Sequence, residues 1–167
     1  MKVLLLDDEE WNISKLDETL KLANFEVDYA SNLENALTYL RRGTNYAAIV
    51  TDFHMERLNG KQFISMIKGL YEHEVGIDEL SLGLVDAFDA DIAQVVKDEF
   101  ENFKEYLSLV KRFEDVPFVL FSSATYGDGC DNMNVFVELK NNQDHNDYRA
   151  EKNIVNYLME RIMPHGL

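Results

Sequence analysis

Asp7 and Asp8 stand directly behind the apolar run Val3 to Leu6, and Asp52 stands just behind a second run, Ala47 to Val50. Short apolar runs bounded by polar residues read as buried strands. Laid parallel in one sheet, two such strands bring all three carboxylates to one edge, and ligands of open α/β sheets bind outside the carboxyl ends of the strands. An acidic trio so placed suits Mg²⁺ or Mn²⁺, hard cations that take a few carboxylate oxygens and keep several waters.

These carboxylates need a scaffold, and the apolar periodicity predicts one. Ile13, Leu16, Leu20 and Ala23 recur at helical spacing behind the first strand, and Phe25 to Ala30 makes a second strand. Ser31 followed by Glu34 is a capping-box pattern opening a helix with Leu33, Ala36, Leu37 and Leu40 inward, and Gly43 suits its C-terminal end. Tyr46 to Val50 is the third strand, and Gly60 opens a helix carrying Phe63, Ile64 and Ile67. A fourth strand, Phe118 to Ser122, is introduced by Pro117. A fifth runs from Val135 to Leu139, and a last helix, about Arg149 to Ile162, stops at Pro164. Alternating elements with short links imply parallel strands joined by right-handed crossovers, so the fold class expected is α/β, a doubly wound parallel sheet.

With 167 residues and 46% hydrophobic content, the chain suits one domain with a sizeable core. No apolar stretch approaches the roughly 20 residues of a membrane span, and Met1 runs straight into a strand without a signal-peptide pattern, so a cytoplasmic protein with no membrane contact is expected. Cys130 is the only cysteine, which excludes an intrachain disulfide, and His54, His73, His145 and His165 are too scattered for a zinc site. A formal charge of -15 repels phosphate backbones, so direct nucleic-acid binding is not expected.

The third and fourth strands are separated by more than the usual material. A helical insertion, about residues 70–116, precedes Phe118, and residues 72–115 carry 13 acidic and 4 basic side chains. Phe88, Ile92, Val96, Phe100, Phe103, Leu107 and Val110 step by fours and threes, which predicts one amphipathic helix from about Asp86 to Phe113. Its apolar stripe must be covered, either by this chain's own sheet or by another molecule. Phe100 and Phe103 are the expected partner-binding residues, in a homodimer or with a basic partner.

Several short patterns, in order, resemble the receiver domain of two-component response regulators. Asp7-Asp8-Glu9 looks like that family's acidic pocket, and Asp52-Phe53-His54-Met55 with Gly60 looks like its phosphoacceptor loop. Ser123-Ala124 is similar to its Ser/Thr-Ala position, and Lys140 is similar to its lysine after the last strand. The resemblance covers about residues 1–70 and 116–163. It implies a five-stranded parallel sheet of order 2-1-3-4-5 within a single receiver-like domain spanning 1–167.

The resemblance also assigns roles. Asp52 would accept the phosphoryl group, with Asp8, Asp52 and the backbone carbonyl of His54 holding Mg²⁺ directly and Asp7 acting through water. Lys140 would contact phosphoryl oxygen, and Ser123 would supply a hydroxyl hydrogen bond. The chemistry requires such a set, because a carboxylate attacking a phosphoryl group approaches concentrated negative charge and needs cations to neutralise it. Implied partners are a histidine kinase or phosphotransfer protein and a downstream protein target. With no effector segment after Leu167, a single-domain switch with autophosphatase activity, rather than a multi-turnover enzyme, is expected.

Departures from the family pattern are visible as well. Glu56 replaces a common proline, Asn141 follows the lysine where proline is usual, and Val137 stands at the aromatic switch position with Phe136 on the other face of its strand. Ala124 to Asn134 leaves little room for the family's fourth helix. A second class of function therefore stands beside the first, a phosphorylation-independent scaffold that binds a partner through the acidic insertion. An independent phosphohydrolase is disfavoured, because His54 stands where such enzymes need a second aspartate.

Overall fold

Val3, Leu4, Leu5 and Leu6 are all buried, so strand β1 (Lys2–Leu6) has no solvated face. A strand covered on both sides belongs at the centre of a parallel sheet. That is where the computed structural model, which describes residues 1–69, 90–123, 135–140 and 147–162, places it. β1 pairs in parallel with β2 (Glu26–Ala30) on one side and β3 (Tyr46–Thr51) on the other, and β4 (Phe118–Ser122) and β5 (Phe136–Leu139) extend the sheet in the order 2-1-3-4-5. The expected fold class and strand order are those observed.

Alternate side chains of the central strands feed two cores. Val3, Leu5, Ala48, Val50, Val119 and Phe121 face α1 (Glu10–Leu22) and the C-terminal helix over Arg149–Ile162. Leu4, Leu6, Ile49, Phe118 and Leu120 face α2 (Leu33–Arg41), α3 (Gly60–Lys68) and both helices of the insertion. Those two are α4 (Ala90–Glu99) and α5 (Phe103–Phe113), which makes the C-terminal helix α6. Among the described residues no helix is long and apolar enough to cross a membrane.

The insertion differs from the single long helix its periodicity predicts. The chain breaks between α4 and α5 because Asn102 takes an extended backbone (φ -156°, ψ 160°) and its side chain accepts the Glu105 amide, a helix N-cap. Glu105 reaches back to accept the Glu101 amide at 3.0 Å. The stripe nevertheless stays continuous, since Ile92, Val95, Phe100, Tyr106, Leu109, Val110 and Phe113 enter one core. Asp86 and Phe88 lie outside the described residues, as do Cys130, the segment 124–134, Asn141 and Pro164. A smaller shift occurs at α2, where the cap is Asn32 rather than Ser31, because the Asn32 side chain accepts the Asn35 amide at 2.8 Å. Gly43 follows α2 with φ 81°, as a C-terminal glycine does.

Candidate functional site

The ends of β1 and β3 place the carboxylates. The Asp52 amide donates to the Leu6 carbonyl at 2.8 Å, continuing the ladder between the two strands one step past their ends, and the Asp7 amide donates to Ala30 at 3.1 Å in the same way. Carboxylate oxygens of Asp7, Asp8 and Asp52 thereby lie within 4.8 Å of one another. Asp7 is fully buried and Asp52 nearly so, while Asp8 is exposed and opens the cluster to solvent.

Lys140 joins them from the far edge of the sheet. It is the first residue past β5, and its amide donates to the Ser122 carbonyl at 2.7 Å, which locks it to β4. Its ammonium donates to Asp7 Oδ2 at 2.7 Å and to Asp52 Oδ1 at 2.8 Å, both buried contacts. The other oxygens are also engaged. Asp7 Oδ1 accepts the Glu9 amide at 2.9 Å, and Asp52 Oδ2 accepts the His54 amide at 3.2 Å.

One ammonium thus serves two of three gathered carboxylates, and the balance is negative. Burial pushes the Asp7 carboxyl above its ordinary value, against the lowering pull of Lys140, and the Asp52 charge adds to the rise. A divalent cation would relieve this repulsion, and the donors are the hard oxygens that Mg²⁺ takes, so the residues present fit the ion.

The other expected residues fall around this centre unevenly. His54 is in the loop after Asp52, with its ring edge-on to Phe53 at 5.3 Å. Ser123 is the exposed residue just past β4, whereas Ser122 is buried within the strand. Phe136 stacks on Tyr157 of α6 at 4.4 Å, so Val137 points to the opposite face and is exposed.

Phe100 and Phe103, the expected partner-binding pair, both pack against this chain's own core. Phe100 is only 6% exposed, packs edge-to-face on Tyr106 at 5.4 Å and carries Arg41 over its ring. Phe103 is half-buried against the same core. The stripe is satisfied within this chain, because α5 packs on α3 and the Tyr106 hydroxyl donates to the Met66 carbonyl at 2.8 Å.

Two supports of the site escaped the sequence reading, and the packing role of a third residue, Gly60, did so too. The Tyr29 hydroxyl donates to the Asp7 carbonyl at 2.7 Å, and the Thr51 hydroxyl donates to the Asp52 carbonyl at 3.0 Å. Gly60 lies so close to Asp52 that a β-carbon there would stand 2.1 Å from the Asp52 carbonyl oxygen. Nothing local in the sequence marked the two hydroxyls, and the loop pattern that includes Gly60 does not state its close approach to Asp52.

A family model described as the response regulator receiver domain matches residues 3–81. Among solved structures, the chain is similar to the chemotaxis response regulator CheY4 of Vibrio cholerae, with 13% identity, 94% of this chain and 97% of that chain covered, and a TM-score of 0.56. It is similar to the response regulator TrrA of Thermotoga maritima, solved in complex with Mg²⁺-BeF, with 17% identity, 94% and 97% covered, and a TM-score of 0.55. The non-phosphorylated HemR receiver domain of Leptospira biflexa gives 15% identity, 99% and 96% covered, and a TM-score of 0.54. At such identities the structural likeness is one of fold. No curated protein sequence matches.

Proposed function

We propose, from the premise that the family match and the shared fold support a response regulator receiver domain, that this protein is a Mg²⁺-dependent phosphorylatable switch with Asp52 as its phosphoacceptor. The observation that carries the reading is Lys140 Nζ, which lies within hydrogen-bond distance of both Asp7 and Asp52. Nucleophile, metal-binding carboxylates and cation are together where they are needed.

An Asp52 carboxylate oxygen attacks the phosphorus of a phosphohistidine on a histidine kinase or phosphotransfer protein. The new oxygen–phosphorus bond forms as the phosphorus–nitrogen bond breaks, and the imidazole leaves with the electron pair. Lys140, already 2.8 Å from Asp52, is then within reach of the phosphoryl oxygens, and Ser123 supplies a hydroxyl donor from the end of β4. Asp8, Asp52 and the His54 carbonyl would hold Mg²⁺, with Asp7 behind them, and the bound ion would neutralise charge on the transferring group. Asp8 is the exposed carboxylate and the natural entry point for the ion. The output is then a protein–protein interaction with a downstream target.

The test is intact-mass measurement after incubation with a small phosphodonor and Mg²⁺. One phosphoryl group should appear on the wild type and be absent from Asp52→Asn. An unphosphorylated wild type that still binds Mg²⁺ would instead favour the phosphorylation-independent scaffold.

A further inference from the structure

We propose that Arg57 is a positioning residue for the loop that follows Asp52, anchoring that loop to the end of α4, so that the insertion regulates how well the site binds Mg²⁺ and accepts phosphate. The inference rests on the function proposed above and names a regulation of that same site.

Arg57 holds a backbone conformation that its side chain disfavours, with φ 69°. The Leu58 amide donates to the Glu56 carbonyl at 2.9 Å and closes a three-residue turn around it. A turn of this kind with positive φ at its centre is the rare, strained form. Strain of this sort persists only where the surroundings over-determine it.

Both flanks of the turn are held. On the site side, Leu58 is buried, the Gly60 amide donates to the Phe53 carbonyl at 2.8 Å, and Gly60 presses on the Asp52 backbone. On the other side, the Arg57 guanidinium donates to Glu99 Oε1 at 2.6 Å, with Glu34 Oε1 and Asp98 Oδ2 each at 3.4 Å. Acids from α2 and α4 therefore converge on one cation carried by the phosphoacceptor loop.

The arrangement answers a need of α4. Asp98 and Glu99 sit in its last turn, the end of a helix dipole that favours cations and opposes carboxylates. Arg57 brings positive charge to that end, and the Arg41 guanidinium donates to the Glu99 carbonyl, one of the acceptors a helix leaves unpaired. Since Arg57 joins the end of α4 to the loop, a displacement of either reaches Asp52 through the four residues between them. The His54 amide, midway along them, already bonds the Asp52 carboxylate.

The experiment compares Arg57→Gln, Glu99→Gln, their double variant and Arg57→Gly with wild type. Mg²⁺ affinity is read by Trp11 fluorescence and by calorimetry, phosphorylation rate by intact mass with a small phosphodonor, and folding by thermal unfolding. Arg57→Gln and Glu99→Gln should each weaken Mg²⁺ binding and slow phosphorylation by roughly 2- to 30-fold, the range of coupling through packed networks. The double variant should be no worse than the more affected single one, because both remove one contact. Arg57→Gly relieves the backbone strain, so it should keep its thermal midpoint and yet lose Mg²⁺ affinity as Arg57→Gln does. A purely structural ion pair would not produce that split. Unchanged Mg²⁺ affinity and phosphorylation in folded Arg57→Gln and Arg57→Gly overturn the inference. A wild type that binds Mg²⁺ without becoming phosphorylated overturns the proposed function, while the Mg²⁺ affinities still decide the role of Arg57. A wild type that binds no Mg²⁺ overturns both.

Discussion

Replacing Gly60 by alanine is ordinarily a benign change. Where the native backbone suits both residues, it stabilises a protein by about 0.4–1 kcal/mol through the unfolded chain. Gly60 has no positive φ that would forbid a side chain. Packing reverses the sign. A β-carbon at this position would stand 2.1 Å from the Asp52 carbonyl oxygen, 3.0 Å from its carbonyl carbon and 2.8 Å from Leu120 Cδ1. The methyl of Leu120 can turn aside, but the other two atoms are backbone, and the oxygen must retreat by ~1 Å to reach ordinary contact. Forced overpacking costs about 1–3 kcal/mol, which for a chain of this size lowers the thermal midpoint by ~2–12 °C. The larger consequence is functional, because the atoms that must move belong to the proposed phosphoacceptor, and a misplacement of about 1 Å can cost about 10²-fold in rate. Thermal unfolding followed by circular dichroism, beside phosphorylation from a small donor, checks both halves. A Gly60→Ala protein with an undiminished midpoint and a wild-type phosphorylation rate would refute the reasoning.

Three further outcomes follow from the same geometry. Lys140→Met leaves Asp7 and Asp52 buried without their shared cation, a loss of about 3–5 kcal/mol in metal-free chemical unfolding, and added Mg²⁺ should recover part of it. Burial raises the Asp7 carboxyl above 3.8, so the folded protein binds this proton more tightly than the unfolded chain does; the stability it contributes is full below 3.8 and is lost as pH rises through the folded value. Asp7→Asn should therefore stabilise the metal-free protein at neutral pH, flatten that part of its pH profile in urea titrations and weaken Mg²⁺ binding. Phe100→Ala, which empties a buried ring site, should cost ~3–5 kcal/mol, whereas Trp11→Ala, at a side chain 65% exposed, should stay within about 0.5 kcal/mol; equal effects in chemical unfolding would count against the assigned packing.

The acid cluster was legible because its information is local. Asp7, Asp8 and Asp52 each follow an apolar run, and parallel pairing brings run ends together without further instruction. Lys140 needed the family resemblance, since nothing in its neighbourhood says that its ammonium crosses β4 to reach β3 and β1. The insertion shows the opposite failure. Its stripe passes from Phe100 to Phe103 without losing helical spacing, so periodicity alone cannot see the break at Asn102. The signal was the Asn102–Glu105 pair, a capping pattern hidden inside an apolar repeat. Arg57 was silent altogether. Its partners lie 23, 41 and 42 residues away, and an arginine in a loop looks the same whether or not three acids meet it.

Lys140 is separated from Asp52 by 88 residues and from Asp7 by 133, and it hangs from a strand of four residues that, among the described residues, pairs only with β4. A nascent chain therefore carries the whole acidic pocket long before it carries the counter-charge. Without β5 in place, Asp7 and Asp52 would face each other with no shared ammonium. The same edge is the natural place for the sheet to open first in the finished protein. Opening there would withdraw the ammonium and leave the pairing of β1 with β3, which carries Asp7 and Asp52, in place. Amide exchange at Lys140, whose donor is held by Ser122, would thus report how often the acidic pocket is without its ammonium, separately from how often the molecule unfolds.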